Sequence, residues 1–128
     1  MKRFIKKILW VSLLACFMLG LGLIVYLLQT EVIEATLDPS GTYRVETSAR
    51  RLDRILPSMP GQASDLPVFV EIFDQNNRSL GRMHVPMWQM AGVQFTEDGA
   101  FIPLIGRWDF KQRSCIYQNE QGQNKSCT

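Results

Sequence analysis

Few side chains in this 128-residue chain have the chemistry of a catalyst. His84 is the only imidazole, and the three cysteines are Cys16, Cys115 and Cys127. A nucleophile with its base, a facing carboxylate pair or a bound metal would each need more than this. His84 sits in an alternating stretch in phase with Leu80 and Arg82, which places it on a mixed strand face. Asp65 with Asp74, or Asp98 with Asp109, would have to meet in space as acid and base, but turns and caps account for each of them more simply. No glycine loop that cradles phosphate occurs. Nothing has zinc-ligand spacing, so no metal site and no cofactor are expected. The expectation is a protein that is not an enzyme.

Cys115 and Cys127 frame a polar run, Ile116 to Ser126, with Gly122 near its middle. Burial could not hold such a run in place, whereas a disulfide across it contributes roughly 3 kcal/mol by loop-closure entropy. An even pair of cysteines around a polar loop fits an oxidising compartment. A Cys115–Cys127 bond also removes both thiols from any Cys–His pair.

The compartment follows from the other end of the chain. Lys2, Arg3, Lys6 and Lys7 precede an uncharged stretch from Ile8 to Leu28, and the next Lys or Arg is Arg44. About 20 apolar residues at 1.5 Å each span a hydrocarbon core roughly 30 Å thick. The basic flank stays in the cytoplasm by the positive-inside rule. A cleaved signal peptide has a shorter core, and Ile33 and Ala35 make a poor cleavage pair. Leu13-Leu14-Ala15-Cys16 loosely resembles a lipobox, but Leu14 is bulky and apolar sequence continues well beyond Cys16. The reading is therefore a signal anchor: residues 1–7 a cytoplasmic tail, 8–29 the span through inner-membrane lipid, 30–37 a connector, and 38–128 a periplasmic β domain. Gly20 and Gly22 are too close together for a small-xxx-small contact.

All twelve acidic residues lie after the anchor, together with ten Lys or Arg, so the formal +2 of the chain belongs to its cytoplasmic tail. With no basic stripe interleaved with aromatics, nucleic acid is not an expected partner. Arg50, Arg51 and Arg54 cluster around Asp53 and read as a solvated face.

The exported part reads mainly as β. Asp38-Pro39-Ser40-Gly41 is a turn. Thr42 to Thr47 alternates, with Tyr43, Val45 and Thr47 on one face and Arg44 and Glu46 on the other. Ser48 to Leu56 is a short helix that Ser48 caps and Pro57 ends, or else an irregular excursion. Ser58 to Pro67 is a loop. Val68 to Phe73 is apolar on both faces apart from Glu71, as befits a central strand. Asp74 to Asn77 turns the chain into a return strand, Leu80 to Val85, in which Gly81 marks a bulge or a close approach. Asp98-Gly99 is the strongest hairpin signal. The fold expected is an N-terminal transmembrane helix plus an antiparallel sheet of five or six strands, as a small sandwich or open barrel.

Two segments are candidate contact surfaces. One is the proline-stiffened loop with Met59, Pro60, Gly61, Gln62, Ser64 and Asp65, since rigid loops lose little entropy on binding. The other is Met87 with Trp88, residue types enriched at interfaces. Trp108 reads as core.

The loop Met59-Pro60-Gly61-Gln62-Ala63-Ser64-Asp65, the strand ending Phe73-Asp74, Val85-Pro86-Met87 and Arg107-Trp108-Asp109 together resemble a family of small, uncharacterised, single-pass envelope proteins of enteric bacteria. That resemblance covers most of Asp38 to Phe110 and departs at Ala63, Val68 and Pro86. It implies location and fold, and supplies no activity. The expected function is protein binding from a membrane tether, as an immunity-type inhibitor of a periplasm-acting toxin. An accessory subunit of an envelope assembly and a cell-wall ligand-binding module are the alternatives.

Overall fold

Uninterrupted apolar sequence makes the first element a single helix. The computed structural model describes residues 2–55, 65–119 and 121–127, the first four by backbone alone. Helix α1 (Lys2–Leu28) is followed after one residue by strand β1 (Thr30–Leu37). Within it, the 23 residues Lys6–Leu28 are long and apolar enough to cross a membrane. At 1.5 Å per residue this span is about 34 Å long. Its side chains are exposed apart from the half-buried Leu27, Cys16 among them as a free thiol.

Four strands form sheet A as an antiparallel meander: β1, β2 (Arg44–Arg50), β3 (Val68–Phe73) and β4 (Ser79–Val85). A short helix α2 (Arg51–Ile55) follows β2 directly. Five more strands form sheet B, again in chain order: β5 (Gln94–Thr96), β6 (Gly99–Ile102), β7 (Gly106–Asp109), β8 (Ser114–Gln118) and β9 (Asn124–Ser126). The sheets do not close into a barrel, so the fold is an N-terminal apolar helix on a small β sandwich.

Alternation decides which side chains go inside. Val45, Thr47 and Ala49 of β2, Val68, Val70 and Ile72 of β3, and Met83 and Val85 of β4 are buried. Sheet B answers with Ala100, Ile102, Ile105, Trp108 and Cys115. β3 lies between β2 and β4, as its apolar sequence predicts. Trp108, expected in the core, is 2 % exposed, and its indole N–H donates to the Gly81 carbonyl at 2.9 Å.

Gly81 satisfies both expectations made of it. Pairing shifts register between Glu71 and Phe73, which bulges β4 and buries Leu80 and Gly81 in succession. At φ +126 an added Cβ would stand 2.5 Å from the Cys115 Cβ. The two sheets touch here because one residue has no side chain.

Turn chemistry is as read at two sites. The Asp38 carboxylate accepts from the backbone N–H of Thr42 (2.7 Å) and Tyr43 (2.9 Å). Asn77 takes φ +61 to close the β3–β4 turn. The Asp98-Gly99 signal finds a hairpin but is off by one residue: Glu97 and Asp98 form the loop, and Gly99 opens β6. Gly99 is needed because a Cβ would lie 2.2 Å from the Trp108 carbonyl oxygen.

Four expectations are corrected. Residues 30–37 are no loose connector but the edge strand β1, paired with β2 along its length with a bulge at Ile33. Ser48 belongs to β2, and the helix begins at Arg51. The polar run between the cysteines is a hairpin, β8–β9, whose ends the Cys115–Cys127 disulfide joins. With β1 and β9 the strands among the described residues number nine in two sheets.

Candidate functional site

The two ends of sheet A differ. Register puts Thr30, Arg50, Val68 and Val85 at the end where α1 enters, here the anchor end, and Leu37, Arg44, Phe73 and Ser79 at the far end. Sheet B is aligned by two contacts: Met83 would meet a Cβ on Gly106, and Gly81 receives the Trp108 N–H. Two more fix the far end, where the rings of Tyr43 and Phe110 stack at 3.9 Å and Arg113 pairs with Asp74 at 2.8 Å.

Of the residues expected to make contacts, Met59, Pro60, Gly61, Gln62 and Ser64 lie outside the described residues. Asp65 is exposed just before β3. Met87 is exposed, while Trp88 is half-buried against the core beside Ala91, Val93 and Phe95. Trp88 therefore serves mainly as packing. Its backbone N–H donates to the Leu66 carbonyl at 2.9 Å.

The structure brings together a group that the linear sequence hides. On the outer face of sheet A, cross-strand pairing sets Ser48 beside Phe69 and Phe69 beside His84. Arg82 stacks over the Phe69 ring, its guanidinium carbon 4.3 Å from the centroid, and Arg50 approaches the same ring at 5.6 Å. The His84 imidazole meets it at 5.3 Å and an interplanar angle of 54°. His84 is thus not in phase with Leu80: the bulge turns Leu80 inward and leaves Arg82 and His84 facing out.

A second guanidinium–aromatic pair, Arg44 over Phe73 at 5.1 Å, lies toward the far end. Arg44 is already engaged by Glu46 (2.8 Å) and Asn77 (2.7 Å). Among the described residues, Arg50 and Arg82 make no ion pair, and Arg82 has only a long contact, 3.5 Å, to the Ser48 hydroxyl. The Phe69 cluster therefore presents two guanidinium groups and an imidazole on an aromatic platform open to solvent. Guanidinium forks recognise carboxylates and phosphates bidentately, and a ring beneath them offers an apolar contact. The signal that could have revealed the cluster is one of phase: Ser48 and Arg50, Phe69, and Arg82 and His84 are all outward positions on neighbouring strands.

Outside this cluster, the outer face of sheet B is concave, an open depression of ≈ 880 Å³ bordered by Phe101, Arg107, Asp109 and Ile116. At the far end, the N–H groups of Arg78 and Asn76 and the Arg113 guanidinium hold the Asp74 carboxyl below its usual range, outweighing the opposing desolvation. Asp74 is thus spent on closing a turn and bridging the sheets. No family model, curated protein or solved structure matches the chain.

Proposed function

We propose that this protein is a signal-anchored envelope protein whose β domain binds an acidic protein partner through the Phe69 cluster. The observation that carries the reading is the pair of unneutralised arginines, Arg50 and Arg82, held over one exposed-face ring. Such groups suit carboxylates flanked by an apolar side chain. The apolar helix of 23 residues supports a tether, and the disulfide suits an oxidising compartment. Under this reading the basic tail is cytoplasmic and the β domain faces the periplasm of a bacterial inner membrane. Within the binding class we favour an immunity-type inhibitor of a toxin acting in that space.

The test is capture from envelope and secreted fractions with the full chain in nanodiscs, comparing the wild type with Arg82→Glu and Phe69→Ala. Both residues face outward, so both variants keep the core intact. A protein held by the wild type, released by salt and lost from both variants supports the cluster. Equal capture by all three refutes it. A single small secreted enzyme that loses its activity in the complex marks the immunity role, whereas large envelope subunits mark an accessory role.

A further inference from the structure

The domain has no linker to its helix. Only Gln29 separates Leu28 of α1 from Thr30 of β1, and Gln29 is itself held. The Arg51 backbone N–H donates to the Gln29 carbonyl at 3.1 Å, and the Arg51 guanidinium donates to the Gln29 side chain at 3.2 Å. The same guanidinium lies 4.2 Å from the ring centre of Tyr26, in the last turn of α1. An aromatic ring near the end of a span, with a basic partner above it, is the pattern of a membrane–water interface. The sandwich therefore stands on α1 with one end turned toward whatever surrounds the top of the helix.

Among the described residues, that end carries exposed apolar side chains from three separate segments, whereas the far end carries Leu37 alone. Ile55, at the end of α2, is 63 % exposed, and Met87, two residues past β4, is 39 % exposed. Leu104, in the β6–β7 turn, is 89 % exposed. The alignment of sheet B fixes the direction of this turn: β7 runs from Gly106, against Met83, to Trp108, against Gly81, so Leu104 lies beyond Gly106 on the anchor side. Leu104 also holds φ +64, a conformation in which a leucine is out of place. Backbone outliers cluster at functional sites, and an almost fully exposed leucine in this conformation stabilises nothing within the fold, so it points to a use outside it.

We infer that the anchor end of the β domain seats on the surface of the bilayer that holds α1, with Leu104, Ile55 and Met87 entering the headgroup layer. The inference rests on the anchor reading above. Arg51 and Arg54 lie at the same level, but Glu31 sits 2.8 Å from Arg54 and 3.9 Å from Arg51, and Asp53 belongs to the same short helix. Two acids thus offset two bases, and Asp65, an exposed negative charge before β3, balances Arg50 at the same end. Apolar burial rather than charge drives the seating, so a zwitterionic bilayer suffices. The seat keeps most of the outer face of sheet A above the headgroup layer, with Arg50 nearest to it.

The test places one nitroxide at a time on the full chain, in a Cys16→Ala background, reconstituted into phosphatidylcholine nanodiscs. Labels go on Leu104→Cys, on Gln75→Cys in the exposed far-end turn, and on Phe17→Cys in mid-helix. Collision with oxygen, which concentrates in lipid, is compared with collision with a water-soluble nickel chelate. The expected result is an oxygen-to-chelate ratio several-fold higher at Leu104 than at Gln75, and highest at Phe17. If Leu104 matches Gln75 while Phe17 reads as lipid, the seat is refuted and the anchor stands. If Phe17 itself reads as aqueous, the anchor reading falls and the seat with it. All three positions are solvent-exposed on the protein, so none of the labels disturbs packing.

Discussion

Replacing Gly81 by alanine should damage this fold more than any other single added methyl group on sheet A. Gly81 combines φ +126 with a Cβ position 2.5 Å from the Cys115 Cβ, 2.9 Å from its Sγ and 3.0 Å from the Cys127 carbonyl oxygen. The obstructing atoms belong to a buried disulfide and a backbone carbonyl, neither of which can swing aside. The unfavourable backbone conformation costs about 1–3 kcal/mol and the overpacking about 1–3 kcal/mol. A stiffer unfolded chain returns about 0.4–1 kcal/mol. The net loss is about 3 kcal/mol, against a total stability of roughly 5–15 kcal/mol. For a domain of about 100 residues that lowers Tm by roughly 10–20 °C. The assay is thermal unfolding of the full chain in detergent, followed by near-ultraviolet circular dichroism, which reports the fixed ring of Trp108 beside Gly81. Gly92→Ala is the control, because nothing lies within 4 Å of its Cβ position. A Gly81→Ala variant that melts with the Gly92→Ala control would refute the idea that this contact sets the distance between the sheets.

Three further outcomes are expected. Replacing Cys115 and Cys127 together by alanine should cost about 3 kcal/mol in urea unfolding; it should also speed amide exchange at Arg82, whose N–H donates to the Cys127 carbonyl at 3.2 Å. Asp74→Asn should destabilise the domain at neutral pH. The folded-state pKa of Asp74 is depressed below 3.8, so its contribution is complete above that value and is lost as pH falls through the folded pKa. Wild type and variant should therefore converge in stability on acidification through and below pH 3.8. Leu104→Gly should raise stability by up to about 1 kcal/mol, because relief of about 1–2 kcal/mol of left-handed strain exceeds the roughly 0.5–1 kcal/mol entropy penalty of glycine. An unchanged or lower Tm for Leu104→Gly would show that the turn carries no strain.

What could be read from the sequence was local. The apolar run of α1, the Asp38 and Asn77 turns, the double-sided apolar pattern of β3, the buried Trp108 and the paired cysteines each announce themselves within a dozen residues. β1 does not. Its bulge at Ile33 breaks the alternation, and Glu31 and Glu34 give an edge strand the look of a connector. β9 is harder still: Asn124, Lys125 and Ser126 are all exposed, so the strand has no apolar side to show and is held by β8 and the disulfide. The Phe69 cluster draws on three strands and a bulge, and a search for a linear basic–aromatic stripe could not find it. The phase assigned to His84 failed for the same reason, since the extra residue at Gly81 shifts everything before it.

Under the proposed function, the outer face of sheet A carries its own case for where a partner would bind. Pairing sets Glu46 directly opposite Glu71, and like charges facing across a sheet are unfavourable. Each acid is answered locally, Glu46 by Arg44 at 2.8 Å and Glu71 by the Ser79 hydroxyl at 2.6 Å. The far half of the face is thereby satisfied within itself, and an acidic ligand there would have to displace Glu46. The half around Phe69 holds no ion pair among the described residues, and the acid facing it, Glu71 opposite Arg82, is taken up by the Ser79 hydroxyl. Stacking of exposed guanidinium groups on a half-buried ring is worth only about 0.5–1 kcal/mol each, too little to explain the cluster as a stabilising device. It is comparable, however, to the roughly 0.5–1.5 kcal/mol lost when a long side chain is immobilised on binding. Under the proposed function, Phe69 holds Arg50 and Arg82 in place before a partner arrives. Exchanging Phe69 for alanine should consequently weaken binding even to a partner that touches only the arginines.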